Sequence, residues 1–184
     1  LNLTPRDEDA YRQRGAVRAQ MGQWDAAIED FSQALALNPK SAETHSNRAV
    51  ARDRLGQRQE AVEDYTQALS LNSKDFNSYL NRGIAFERLG QDDRALADCS
   101  QAIELKPDLV IAYSNRGTAY HLMGNNDQAL QDFAEAMKLK RDYAEAYYGR
   151  GTVYKIMGAY DKAIQDYSKT IELKPDHARA YNNR

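Results

Sequence analysis

The chain has 184 residues, of which 28% are charged, and a formal net charge of −2. Such a mixed, near-neutral surface excludes general binding to nucleic acid or to an anionic membrane, which needs a basic excess. No apolar run approaches the roughly 20 residues of a membrane span, and a lone cysteine, Cys99, excludes an internal disulfide framework. The chain opens on Leu1 rather than Met, so the lack of a visible signal peptide carries little weight. A cytoplasmic setting is the expectation.

Residues 1–7 come first. Their "LNLTP" is in phase with "LALNP" at 35–39, so they read as the end of a preceding repeat. Five units of 34 residues follow without an insertion, at 8–41, 42–75, 76–109, 110–143 and 144–177. Gly22, Gly56, Gly90, Gly124 and Gly158 mark repeat position 15. Before the glycine, aromatic residues recur at positions 4 and 11 of several repeats, as in Tyr79 and Phe86. After it, small or apolar residues recur in steps of three and four, as in Ala95, Leu96, Cys99, Ala102 and Ile103. Those steps predict two helices per unit, with the glycine ending the first by tolerating positive φ. Pro39, Pro107 and Pro175 are expected to stop the second helix. Residues 178–184 read as the start of a following helix. Each unit is therefore a helical hairpin that buries its faces by stacking on its neighbours.

On these residues the chain is similar to the tetratricopeptide repeat (TPR) family, with an Asn-Arg-Gly variant in the first helix, as in Asn81-Arg82-Gly83. The resemblance covers five full repeats. The second repeat departs most, with His45 in place of the aromatic and Ala49 in place of the glycine of that triplet. The resemblance implies an all-α, right-handed solenoid, a superhelix of antiparallel helix-turn-helix repeats, with the first helices lining a concave groove.

The arginine of the variant raises a physical question. With position 4 at 0°, position 7 falls about 60° away, at the border of the packing face. A half-buried guanidinium needs a partner. Aspartate stands at position 23 of every repeat, and positions 7 and 23 are symmetric about the glycine. An antiparallel hairpin brings them level. Five structural ion pairs follow: Arg14–Asp30, Arg48–Asp64, Arg82–Asp98, Arg116–Asp132 and Arg150–Asp166.

The asparagine at position 6 points about 160° away from position 4. Asn47, Asn81, Asn115 and Asn183 should form a row along the groove, interrupted at Gln13 and Gly149. An amide both donates and accepts, so a row of them can bond the backbone of an extended peptide. It resembles the asparagine ladder in the TPR superhelix of O-linked N-acetylglucosamine transferase. The bland reading is a set of solvated polar positions inherited by repeat duplication. Leu80, Ile84, Ile111, Leu122, Tyr148 and Ile156 gather on the same side and read as contacts for apolar side chains of that peptide. Packing between adjacent first helices is the competing reading for some of them. The carboxylate clamp of chaperone-cochaperone TPR domains is incomplete: Arg12 and Asn47 fit its pattern, whereas Ala16, Asn77 and Asn81 do not.

No enzyme active site is expected. His45, His121 and His177 fall on different faces, so no metal site is anticipated, and no phosphate-cradling glycine loop implies a cofactor. The leading function is a protein-interaction scaffold with a protein or peptide partner. The alternatives are a scaffold that self-associates head to tail through uncapped repeat ends, and a substrate-recruiting arm of a larger enzyme.

Overall fold

The computed structural model describes residues 7–184; the expectation for 1–7, Asp7 apart, lies outside the described residues. Among them are eleven α-helices and no strand. The chain divides after Leu89 into two compact units. The first holds α1 (Glu8–Gln20), α2 (Trp24–Leu37), α3 (Ala42–Arg54), α4 (Arg58–Leu71) and α5 (Phe76–Arg88). The second holds α6 (Asp92–Leu105), α7 (Val110–Leu122), α8 (Asn126–Leu139), α9 (Ala144–Ile156), α10 (Tyr160–Leu173) and α11 (Ala178–Asn183).

Local chemistry sets the starts of the first helices. The carboxylates of Asp7 and Asp75 and the hydroxyl of Ser41 accept from Ala10, Asn77 and Thr44 N–H groups. His177 plays the same part for α11, its Nδ1 accepting from the Ala180 N–H at 3.2 Å. Such a cap contributes about 1 kcal/mol. Gly22, Gly56, Gly90, Gly124 and Gly158 end these helices in left-handed conformations, with φ between 70° and 81°. An L-side chain there would cost about 1–2 kcal/mol.

The expected role of proline needs correction. The second helices end at Leu37, Leu105 and Leu173, ahead of Pro39, Pro107 and Pro175, but also at Leu71 and Leu139, where Ser73 and Arg141 replace the proline. Backbone geometry sets the stop. The residues after the last turn have φ between −135° and −143°, and their N–H groups close onto the carbonyls of Ala34, Ala68, Ala102, Ala136 and Thr170. Asn38 and Asn72 then bond the N–H groups of Lys40 and Lys74 at 3.2 Å.

In the first unit α2 packs on α1 and α3, and α4 on α3 and α5. Phe31 sits with Ala27 and Ala51, and Tyr65 with Ala49 and Ala61, all buried. In the second unit Phe133 is enclosed by Ala129, Ala136, Ala146 and Val153, where α8 meets α9. Fully burying one such ring contributes about 3 kcal/mol. The small side chains at the third repeat position, Thr44, Ser78, Ala112 and Ala146, are completely buried. They let helix backbones approach closely, a feature hidden in the sequence beneath the more visible aromatic pattern.

Candidate functional site

The arginines of the first helices are placed by their hairpins. Arg14, Arg48, Arg116 and Arg150 each grip their own aspartate with two guanidinium nitrogens. The Nε–Oδ2 distance is 2.8 Å in all four. Asp30, Asp64, Asp132 and Asp166 are buried. The bond to Asp132 holds the Arg116 guanidinium above its ordinary pKa, and the bond to Asp166 does the same for Arg150. Arg82 and Asp98 belong to different units, so their pairing stays an expectation.

Two further uses of these arginines were not foreseen. Arg48 also donates to Ser32 Oγ at 3.1 Å and Arg82 to Thr66 Oγ1 at 3.0 Å, which ties each hairpin to the preceding one. Aromatic rings also flank the guanidiniums. Arg116 lies 5.6 Å from the Tyr113 centroid and 6.0 Å from that of Tyr120, and Arg150 lies similarly between Tyr147 and Tyr154. Tyr113, Tyr120, Tyr147 and Tyr154 are half-buried, so they wall a cation as well as fill a core. In the first two repeats arginine replaces the second aromatic. Arg18 reaches Asp30 at 2.9 Å and Arg52 reaches Asp64 at 2.8 Å. The substitution was visible in the sequence as a cation where the other repeats carry an aromatic.

In the first unit, Asn47 and Asn81 line one cavity of about 410 Å³ together with Asn72, Asn77 and Ser46. Both are half-buried, and neither amide has a hydrogen-bond partner among the described residues. A second cavity, of about 790 Å³, adjoins it and shares Val50 and Asn81; Ile84, Arg54, Arg58 and Arg88 line it. In the second unit, Asn115 lines a cavity of about 250 Å³ with Thr118, Phe133, Tyr148, Gly149 and Thr152. Ile111, Leu122 and Ile156 are 43%, 55% and 64% exposed.

Three residues depart from the expected groove. Leu80 is only 6% exposed, so it belongs to the core and offers no contact to a ligand. Tyr148 is held rather than free. Its ring packs at a tilt against His177 and Tyr167, with centroids 4.6 Å and 5.8 Å away, and its hydroxyl accepts from Asn183. That bond, with one from Lys155 at 3.0 Å, takes Asn183 out of the amide row.

Sequence profiles described as "TPR repeat" match residues 15–56, 54–90 and 117–158, and profiles described as "Tetratricopeptide repeat" match 76–109, 99–131 and 144–177. The chain belongs to the tetratricopeptide repeat family. No curated protein sequence matches it. Among solved structures it is similar to MamA from Desulfovibrio magneticus RS-1, with 18% identity over 92% of this chain and 96% of that one, at a TM-score of 0.85. It is also similar to YrrB, described as a TPR protein with an unusual peptide-binding site, at 22% identity, 96% and 91% coverage and a TM-score of 0.82. The PilF protein of Pseudomonas aeruginosa gives 24% identity, 96% and 80% coverage and a TM-score of 0.82. At these identities the likeness is one of fold: an all-α solenoid of helical hairpins.

Within this tetratricopeptide array, Gly149 takes the place of the asparagine for a steric reason. A Cβ at Gly149 would fall inside the van der Waals envelope of the Phe133 ring. Gly149→Asn would restore the amide row in sequence but force the ring aside. It is expected to destabilise the second unit by about 1–3 kcal/mol, read by thermal unfolding. A variant as stable as the parent would show that the ring is free to move. No group of three or more metal-ligating side chains occurs among the described residues, and none of their helices is long and apolar enough to cross a membrane.

Proposed function

We propose that this tetratricopeptide array is a protein-interaction module that binds an extended polypeptide along the first-helix face. The observation that carries the reading is the pair of unpartnered amides, Asn47 and Asn81, in the wall of one cavity. Asparagine is a poor mid-helix residue, so its recurrence in α3, α5 and α7 without an internal bond calls for an external use. An amide presents a donor and an acceptor, the complement of a peptide group. Asn115 continues the chemistry in the second unit, where exposed Leu122 and Ile156 offer apolar contacts. The fold is that of protein–protein scaffolds, and a peptide-binding site in the similar YrrB supports the reading.

The test uses a peptide selected against the intact chain from a random displayed library. Leu122→Asp with Ile156→Asp should leave helicity unchanged, because both side chains are exposed. It should weaken the selected peptide by about 30-fold, since each of the two half-exposed side chains has about 1 kcal/mol left to gain on burial. Unchanged affinity would remove the second unit from the binding face.

A further inference from the structure

We infer that the larger cavity of the first unit binds acidic side chains of the bound segment through Arg54, Arg58 and Arg88. The inference rests on the peptide-binding reading and adds the chemistry of the ligand. Three guanidiniums line this cavity of about 790 Å³, against a single carboxylate, Asp53. Asp53 is already engaged, its Oδ2 accepting from Arg88 at 2.8 Å. That leaves two cations without an anion among the described residues. Arg54 lies 6.0 Å from the Trp24 ring centroid, and Arg58 keeps a buried Nε that has no hydrogen-bond partner.

The positions of the arginines sharpen the point. Arg54 and Arg88 are the last residues of α3 and α5, where a cation complements the helix dipole, so their presence has a structural explanation. Arg58 has none. It is the first residue of α4, where the dipole opposes a positive charge, and the other second helices begin with Trp24, Asp92, Asn126 and Tyr160. A local choice that opposes stability, aimed into a cavity already rich in cations, is the pattern of a binding group. An incoming carboxylate satisfies it by charge-assisted hydrogen bonds.

Continuity fixes the occupant. The cavity shares Val50 and Asn81 with the amide-lined one, so a segment bonded through its backbone at Asn47 and Asn81 runs directly past the arginines. The partnerless Oδ1 of Asp53 accepts from a backbone N–H of the same segment. In the second unit the residues in register with Arg54 and Arg88 are Leu122 and Ile156, so the acidic preference belongs to the first unit alone.

The probe is a fluorescein-labelled peptide of alternating glutamate and alanine with an amidated C-terminus. It is compared by anisotropy with its glutamine counterpart, amidated or with a free terminal carboxylate. The intact chain should bind the glutamate peptide at least about tenfold more tightly than either glutamine peptide, with a preference that fades as salt is raised. Arg54→Gln with Arg58→Gln should remove that preference while the Asp53–Arg88 pair keeps the hairpins in place, and Arg141→Gln should not. Equal binding of glutamate and glutamine peptides, or an unaltered preference in the double variant, would overturn the inference. Preference for the free carboxylate alone would also overturn it, because the site would then read a chain end. Failure here with continued sensitivity of the library peptide to Asn47→Ala and Asn81→Ala would leave the peptide-binding reading standing. Loss of that sensitivity with a retained glutamate preference would do the reverse.

Discussion

Replacing Asp64 by asparagine is expected to destabilise the first unit by about 3 kcal/mol. Asp64 is shared by two guanidiniums and an imidazole. It accepts from Arg48 at 2.8 and 2.7 Å, from Arg52 at 2.8 Å, and lies 3.4 Å from His45. Its side chain is 4% exposed, and those of Arg48 and Arg52 are 17% and 22% exposed. Asparagine keeps the shape and removes the charge, leaving two guanidiniums in a partly desolvated seam. The residual access to water holds the cost at the lower end of the range for breaking a buried pair. Urea unfolding followed by helical circular dichroism measures it. Replacing the cluster together, with Arg48→Met, Arg52→Met and Asp64→Leu, should recover much of the loss, since neither guanidinium is then stranded. A loss below about 0.5 kcal/mol for the single variant would place the pair among weak surface contacts and contradict its structural role.

The hairpins and their ion pairs were legible because both follow from spacing. A glycine every 34 residues fixes the turn, and Arg14 and Asp30 stand symmetrically about Gly22. The second cation on Asp30 and on Asp64 was less visible. Arg18 and Arg52 occupy positions where aromatics were sought, and a pairwise scheme assigns each aspartate only one partner. Leu80 stands with the groove residues when the first helices are read from sequence alone. A single helix taken alone omits its neighbours, and Leu80 is only 6% exposed in the fold. Gly149 showed only as a gap in the asparagine row; the cause, Phe133 of α8, is fifteen or more residues away and emerges only in three dimensions. The arginine cavity was not legible, because sequence does not show that Arg58 of α4 joins Arg54 and Arg88.

The second large effect concerns binding. The library-selected peptide should lose about 100-fold in affinity when Asn47, Asn81 and Asn115 are all changed to alanine. The estimate takes about 1 kcal/mol for each hydrogen-bonding amide removed. Stability should rise slightly, since alanine is the better helix former. That opposition separates binding from folding: a variant that binds worse because it unfolds would also lose helicity. The apolar side chains Leu122 and Ile156 act on specificity, whereas the amides act on every bound segment through its backbone.

Isothermal titration of that peptide into the parent chain and the triple alanine variant, with helicity checked in parallel, tests the peptide-binding account most directly. The account predicts an intact helical signal and binding weaker by about two orders of magnitude, close to 3 kcal/mol. Equal affinity in the two proteins would contradict it. The asparagine row would then be a product of repeat duplication, and the interaction surface would have to be sought elsewhere, beginning with the exposed Tyr160 and Ile164 of α10.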